Sequence, residues 1–278
     1  MIWKTPRRTF DLSYRGLIMG VLNVTPDSFS DGGRFFEAGT AAARAKELER
    51  EGADIIDIGG ESTRPGAVEV PLEEELRRVL PVVRAVKAET QCLVSIDTMK
   101  SLVAAAAMEA GADIINDISG LHADPDMAAV AAGTHAGLVL MHMQGTPRTM
   151  QMKPVYADVV HEVQEYLRQS MDTALRAGVE KEAIALDPGI GFGKTLEHNL
   201  TILRRVGEFG LDGRPVLLGV SRKSFIGRIL GSSNAAAREW PTVALTSFAR
   251  ERGARIFRVH EVIGNVQALR MTEAILGE

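Results

Sequence analysis

At 278 residues with 45% hydrophobic side chains, the chain is long enough to bury one substantial core. Its net charge of −4 is spread over interleaved acids and bases, with no basic stripe for nucleic acid. The only cysteine, Cys92, excludes an internal disulfide and a cysteine-ligated zinc, and no run approaches the ~18 uncharged apolar residues of a membrane span.

The first fifteen residues carry Lys4, Arg7, Arg8 and Asp11 and no apolar stretch, which argues against a secretory leader and for the cytoplasm. Residues 8–13 could close one end of the fold, ahead of a first strand at 16–23 that ends in Asn23. The Ser/Asp/Gly-rich segment after Asn23 is too long for a simple turn, and such loops in compact domains serve as lids or binding loops. Residues 39–51, rich in Ala, Lys, Glu and Arg, read as helix. A strand at 54–59 leads to Glu61-Ser62-Thr63-Arg64. Leu72, Leu76, Val79, Val83 and Val86 then recur at helical spacing, with Pro81 expected to kink or divide that helix.

The same alternation continues to the end of the chain. Strand 92–97 ends in Asp97 and precedes helix 101–110. Strand 114–118 carries Asn116 and precedes helix 126–132. Strand 137–143 carries His142 and precedes helix 158–177. Strand 184–187 ends in Asp187, then Gly189-Ile190-Gly191-Phe192-Gly193-Lys194, then helix 197–206. Strand 216–221 meets Ser221-Arg222-Lys223-Ser224 and a helix at 235–252. Strand 255–260 carries Arg258 and His260 and precedes helix 262–276.

Strands starting about every 34 residues with helices between them are βα units. Strands apolar throughout suit a parallel sheet covered on both faces. Eight such units predict an α/β fold, a (β/α)8 TIM barrel, as one domain over 1–278. The competing open, doubly wound sheet would be expected to show G-x-G-x-x-G after its first strand, and none is present. In a barrel all eight polar strand ends share one face, where active sites of that fold lie.

Any one of these residues could simply cap a helix, Asp97 and Asn116 above all; eight on one rim are harder to dismiss. They fall into two chemical sets. Asp97, Asn116, Asp187 and Lys223 suit the edge of a flat heterocycle with amino, ring N–H and carbonyl groups. Arg258, His260, Asn23, Thr63 and Arg64 suit phosphate oxygens. The 189–194 segment resembles a phosphate loop but lacks the full P-loop pattern, and a flexible rim loop is the plainer alternative. His142 and His260 lack H-E-x-x-H spacing, no Ser/His/Asp triad stands out, and His122, His135, His161 and His198 read as ordinary surface or helix positions. The set favours holding and orienting a charged leaving group over acid–base work.

Several long blocks resemble the dihydropteroate synthase family of pterin-binding enzymes. They are residues 19–33 (from Met19-Gly20-Val21-Leu22-Asn23 to Asp31-Gly32-Gly33), 52–66, Ser95-Ile96-Asp97-Thr98, Ile115-Asn116-Asp117-Ile118, Met141-His142-Met143-Gln144-Gly145, 186–194, and Ser221-Arg222-Lys223-Ser224. The resemblance implies a (β/α)8 barrel of folate biosynthesis, a transferase that joins 6-hydroxymethyl-7,8-dihydropterin diphosphate to 4-aminobenzoate with loss of diphosphate. It implies Asp97, Asn116, Asp187 and Lys223 on the pterin, with Ile118 and Met141 also against substrate. Asn23, Arg258 and His260 would take the diphosphate, and Asn23 a Mg2+ ion. Thr63, Arg64, Pro65, Phe192 and Ser224 would shape the aminobenzoate pocket, the target of sulfonamides. Asp97, Lys223, Arg258 and His260 would carry the chemistry, loops around 29–31 and 62–66 would close the site, and two copies would pair as a homodimer. Glu261 stands where the family pattern R-V-H-D has Asp.

Two rival functions share the pterin pocket. A methyltransferase acting from methyl-tetrahydrofolate onto a corrinoid protein has no use for Arg258 and His260 as a diphosphate clamp. A non-catalytic pterin binder is the other, and a barrel whose strand ends only cap helices is the plain alternative.

Overall fold

The chain opens with a hairpin, β1 (Ile2–Lys4) antiparallel to β2 (Thr9–Asp11). The structure is a computed structural model that describes residues 1–24, 34–63 and 66–277. Eight parallel strands follow: β3 (Leu17–Asn23), β4 (Ile55–Gly59), β5 (Leu93–Asp97), β6 (Ile114–Asp117), β7 (Gly137–Met141), β8 (Ile184–Asp187), β9 (Val216–Leu218) and β10 (Ala254–Val259). They close in sequence order, with β10 pairing back onto β3. Between them run α1 (Arg34–Glu51), α2 (Leu72–Glu89), α3 (Ser101–Glu109), α4 (Met127–Thr134), α5 (Val159–Arg176), α6 (Leu196–Arg204), α7 (Ser224–Leu230) and α8 (Glu239–Glu251), and α9 (Ile263–Leu276) comes last. This is the expected (β/α)8 barrel.

Side chains alternate in facing along each strand, and the core divides accordingly. Ile18, Ile56, Ile58, Val94, Ile96, Ile115, Leu138, Leu140, Leu186 and Phe257 pack outward against the helices. Leu17, Met19, Ile55, Leu93, Ile114, Val139, Ala185, Leu217 and Ile256 point inward and fill the lower barrel with Trp3 and Leu12. The inward positions one or two steps further along are Asn23, Asp57, Asp97, Asn116, Asp187 and Arg258. The barrel axis is therefore apolar below and polar above.

The barrel base is closed by the whole N-terminal hairpin and Leu12. Trp3 is fully buried there and donates its indole N–H to the Ala183 carbonyl at 2.9 Å. This cap begins earlier than the 8–13 segment read from sequence. Two further differences concern helices. Pro81 does not divide α2, which runs unbroken over eighteen residues. The β9–β10 connection holds two helices, α7 and α8, where one at 235–252 was expected, because β9 stops at Leu218 and Lys223 opens a short helix. Glu261 keeps the turn into α9: both its carboxylate oxygens lie 3.1 Å from the Gly264 N–H. Its longer side chain still reaches the helix N-terminus, where negative charge is favoured. Cys92 is a buried thiol whose pKa is pushed up to about 12, chiefly by burial, so it is unreactive.

Candidate active site

The barrel registers the polar strand ends against one another. Asn23 pairs with Gly59, Gly59 with Asp97, and Asp97 with Asn116 across β3 to β6. A Cβ on Gly59 would sit 3.6 Å from both Asn23 Oδ1 and Asp97 Cβ, so the missing side chain leaves these two facing each other. Gly219 does the same across the barrel, with Arg258 Cβ and Asp187 Oδ2 each 3.9 Å from where its Cβ would be. Asp187 and Arg258 thus share one cup.

Arg258 stands at its centre. Its Nε donates to Asp57 Oδ2 at 2.6 Å and its Nη2 to Asp97 Oδ2 at 2.7 Å. Asn116 Nδ2 donates to Asp57 Oδ2 at 3.3 Å, so one carboxylate fixes both an arginine and an amide. Asp57 is fully buried, and the sequence reading passed over it. It sits inside an apolar run rather than at the run's end. Its signal was parity: Asp57 shares the inward face with Ile55 and Gly59.

Asp97 and Asn116 cap no helix. The first N–H of α3 is taken by Asp124, and the turn after β6 by Asp117, which accepts from Ser119 and Leu121. Among the described residues Asp97 Oδ1 is buried without a hydrogen-bond partner, which leaves it able to accept from a bound molecule. Burial lifts the Asp97 pKa to about 7; Arg258 and Lys223 pull it down while Asp57 and Glu75 push it up. Glu75 belongs to a network behind the site, accepting from Thr98 Oγ1 at 2.7 Å and Lys100 Nζ at 2.6 Å.

Asp187 keeps one oxygen on the Gly189 N–H at 2.7 Å. Burial raises its pKa to about 6, against the pull of that N–H and of Lys223, Lys194 and Arg258. Lys223, at the N-cap of α7, has its ammonium 4.0 Å from the centre of the Phe192 ring. Burial and Arg258 lower its pKa to about 8, with Asp187 and Asp97 opposing. Burial disfavours charge on Arg258 too, but Asp57 and Asp97 outweigh it and its pKa is raised. His260 places Nδ1 2.9 Å from Ser221 Oγ, which also accepts the His260 N–H at 3.2 Å.

One side of the cup is apolar. Ile118, Met141, Met143, Met150 and Phe192 form a buried cluster with Met99 beside it. Three of these methionines were not singled out from sequence; their thioethers suit packing on a flat ring. A narrow cleft joins Thr63, Asp97, Met99 and Ile118. Ser224 is exposed beside Lys223 at the start of α7. Arg64, Pro65 and the segment 25–33 lie outside the described residues. The remaining predicted residues, from Asn23 to His260, are gathered at one end of the barrel.

The segment 189–194, read as a rim loop, is anchored from beneath. Lys194, only 2% exposed, donates to His142 Nδ1 at 2.8 Å and to the Phe192 carbonyl at 3.0 Å. His198 holds a helix position, as expected, and closes a capping box with Thr195 at the start of α6.

The pterin binding enzyme family matches residues 19–260. A dihydropteroate synthase of Synechocystis is 47% identical over 266 residues, covering 96% of this chain and 92% of that one. The crystal structure of Yersinia pestis dihydropteroate synthase with a sulfonamide drug complex superposes with TM-score 0.93 at 42% identity, covering all of both chains. The solved structure of dihydropteroate synthase from Xanthomonas albilineans in complex with 7,8-dihydropteroate has TM-score 0.89 and 39% identity, again over all of both.

Proposed function

The chain belongs to the pterin binding enzyme family, and we infer that within it the protein is a dihydropteroate synthase. It condenses 6-hydroxymethyl-7,8-dihydropterin diphosphate with 4-aminobenzoate, giving 7,8-dihydropteroate and diphosphate in folate biosynthesis. The observation that carries this reading is the convergence of Asp97, Asn116, Asp187, Lys223 and Arg258 in one polar cup with an apolar wall.

In this reading the pterin ring lies against the Met and Ile wall. Asp187 accepts two parallel N–H bonds from its amino-pyrimidinone edge, while Asn116 and Lys223 take the carbonyl and ring nitrogens. Arg258, His260 and Asn23 hold the diphosphate. Thr63, Phe192 and Ser224, with Arg64 and Pro65, receive 4-aminobenzoate. The C–O bond to diphosphate breaks as the ring releases electrons toward the exocyclic carbon. The unpartnered Asp97 oxygen stabilises positive charge there, and Arg258 stabilises charge growing on the leaving group. The arylamine is already neutral near pH 7, so its lone pair forms the new C–N bond and its proton leaves afterwards to solvent. Alignment of amine and carbon supplies what a base would otherwise have to supply.

Among the described residues no three acidic, histidine or cysteine side chains converge to cage a metal. Mg2+ nevertheless suits the site, because it keeps several waters and leans on substrate phosphates; the Asn23 side-chain oxygen, facing Asp97 across Gly59, would hold it. When bound it would neutralise diphosphate charge. Exposed Trp240, Ile263, Met271 and Ile275 on the adjoining helices α8 and α9 support pairing of two copies as a homodimer. The free Cys92 thiol supports a cytoplasmic location, where it stays reduced. No helix among the described residues is long and apolar enough to cross a membrane.

The test is diphosphate release from the two substrates with Mg2+. Release that depends on 4-aminobenzoate supports the synthase. Tight pterin binding without release would leave a non-catalytic binder instead.

A further inference from the structure

We propose that Lys194 is a positioning residue for the pterin: held by His142, it fixes the loop that carries Phe192 and sets a buried positive charge beside Asp187. This rests on Asp187 reading the pterin edge. Three observations support it. The first is chemical. Below pH 7 Lys194 is an ammonium, which only donates, so the His142 Nδ1 it touches accepts and the neutral imidazole carries its proton on Nε2. His142 is packed edge-on to Tyr166, and burial together with Lys194 holds its pKa well below the ordinary value.

The second is position. Gly189 lies between the two groups, with its N–H on Asp187 Oδ1 and its absent Cβ 3.4 Å from Lys194 Nζ. The second Lys194 bond holds the Phe192 carbonyl, and the Phe192 ring in turn packs on Lys223. One ammonium therefore ties the loop to both charged groups assigned to the pterin edge. The third is cost. Lys194 is buried and makes no ion pair among the described residues, an expense a purely structural site would avoid with an apolar side chain.

The groups facing Lys194 are His142 after β7, Asp187 on β8, Lys223 at α7 and His198 on α6. Asp187 in turn faces Lys223, Lys194, Arg258 and the Gly189 N–H. Lys194 favours the ionised carboxylate, so its removal makes Asp187 hold its proton to higher pH. Burial lowers the Lys194 pKa to about 7, so its influence fades above that point.

The experiment is Lys194→Met, followed by steady-state kinetics from pH 5 to 9 and by calorimetric binding of 6-hydroxymethyl-7,8-dihydropterin diphosphate. At pH 6.5 its KM should rise at least about tenfold with kcat within about threefold, the pattern of lost uniform binding. The acid limb of kcat/KM should move up by about one pH unit, and the difference should shrink above pH 8. His142→Asn, which keeps an acceptor where Nδ1 stood, should retain the native profile, and His142→Leu should shift it as Lys194→Met does. A folded Lys194→Met with unchanged KM and acid limb overturns the proposal. Should Lys194→Met fail to fold, equal profiles for the two His142 variants overturn it. Asp187→Asn separates the premises: native affinity there sinks the Asp187 assignment itself, whereas weakened affinity beside an unaffected Lys194→Met sinks the role of Lys194 alone.

Discussion

Asp97 and Asp187 carry opposing demands of burial and charge. Asp97 has Arg258 on one oxygen and, among the described residues, no partner on the other. Asp97→Asn and Arg258→Ala should each lower kcat at least about tenfold, or about 1.4 kcal/mol, in the diphosphate-release assay. Near-native turnover by the folded variants would strip both of their assigned roles. For Asp187 the sign of the stability effect follows from its raised pKa. The folded-state value of about 6 lies above the ordinary carboxylate value, so the fold prefers the neutral acid. Stability present below about pH 4 is lost as pH rises through about 6. Asp187→Asn should therefore be more stable than the native protein at pH 8, by up to about 3 kcal/mol in urea unfolding, with the gain vanishing near pH 4. Equal midpoints at pH 8 would contradict the burial account. The most functional residues are thus ones the fold alone would replace.

At the scale of elements, the strand-to-helix turns decide the site, and the turn after β8 is the tightest. Gly189 has φ of +69°, and a Cβ there would lie 1.9 Å from the His142 carbonyl oxygen. No side-chain rotation relieves a backbone clash, so Gly189→Ala should cost more than about 3 kcal/mol and raise the pterin KM through displacement of Asp187 and Phe192. A variant with native melting temperature and KM would show the turn to be adaptable. These turns also mark how far the sequence could be read. Strand order, barrel closure and the polar strand ends were legible, because a run ending in Asp187 or Asn23 announces itself. Asp57 was not, since it sits inside an apolar run, and only knowing which parity faces inward separates it from Ile56. Lys194 looked like a rim residue because a charged side chain in a glycine-rich loop usually is. α7 is hidden in the sequence because Ser221-Arg222-Lys223-Ser224 continues the apolar run like a strand end, whereas the strand stops at Leu218. Of the two outcomes expected at Pro81, division does not occur: α2 runs through it with Val79, Val82 and Val83 buried.

The whole molecule divides along the barrel axis into a lower part that provides stability and an upper part that provides chemistry. Trp3 belongs wholly to the first, filling the base beneath Leu17, Leu93 and Val139. Trp3→Ala should lower unfolding free energy by about 3–5 kcal/mol and leave kcat per folded molecule within about twofold at 25 °C. A selective loss of kcat without loss of stability would show the two halves to be coupled. The sealed base has one further consequence. With no back door among the described residues, the cup is a blind well, and whatever lodges at the mouth blocks the way to the bottom. The pterin has to queue ahead of the amine, and the ring half of the product is last out. Initial rates should then follow ordered kinetics, with analogues of 4-aminobenzoate acting uncompetitively toward the pterin diphosphate; competitive inhibition would mean a second way in.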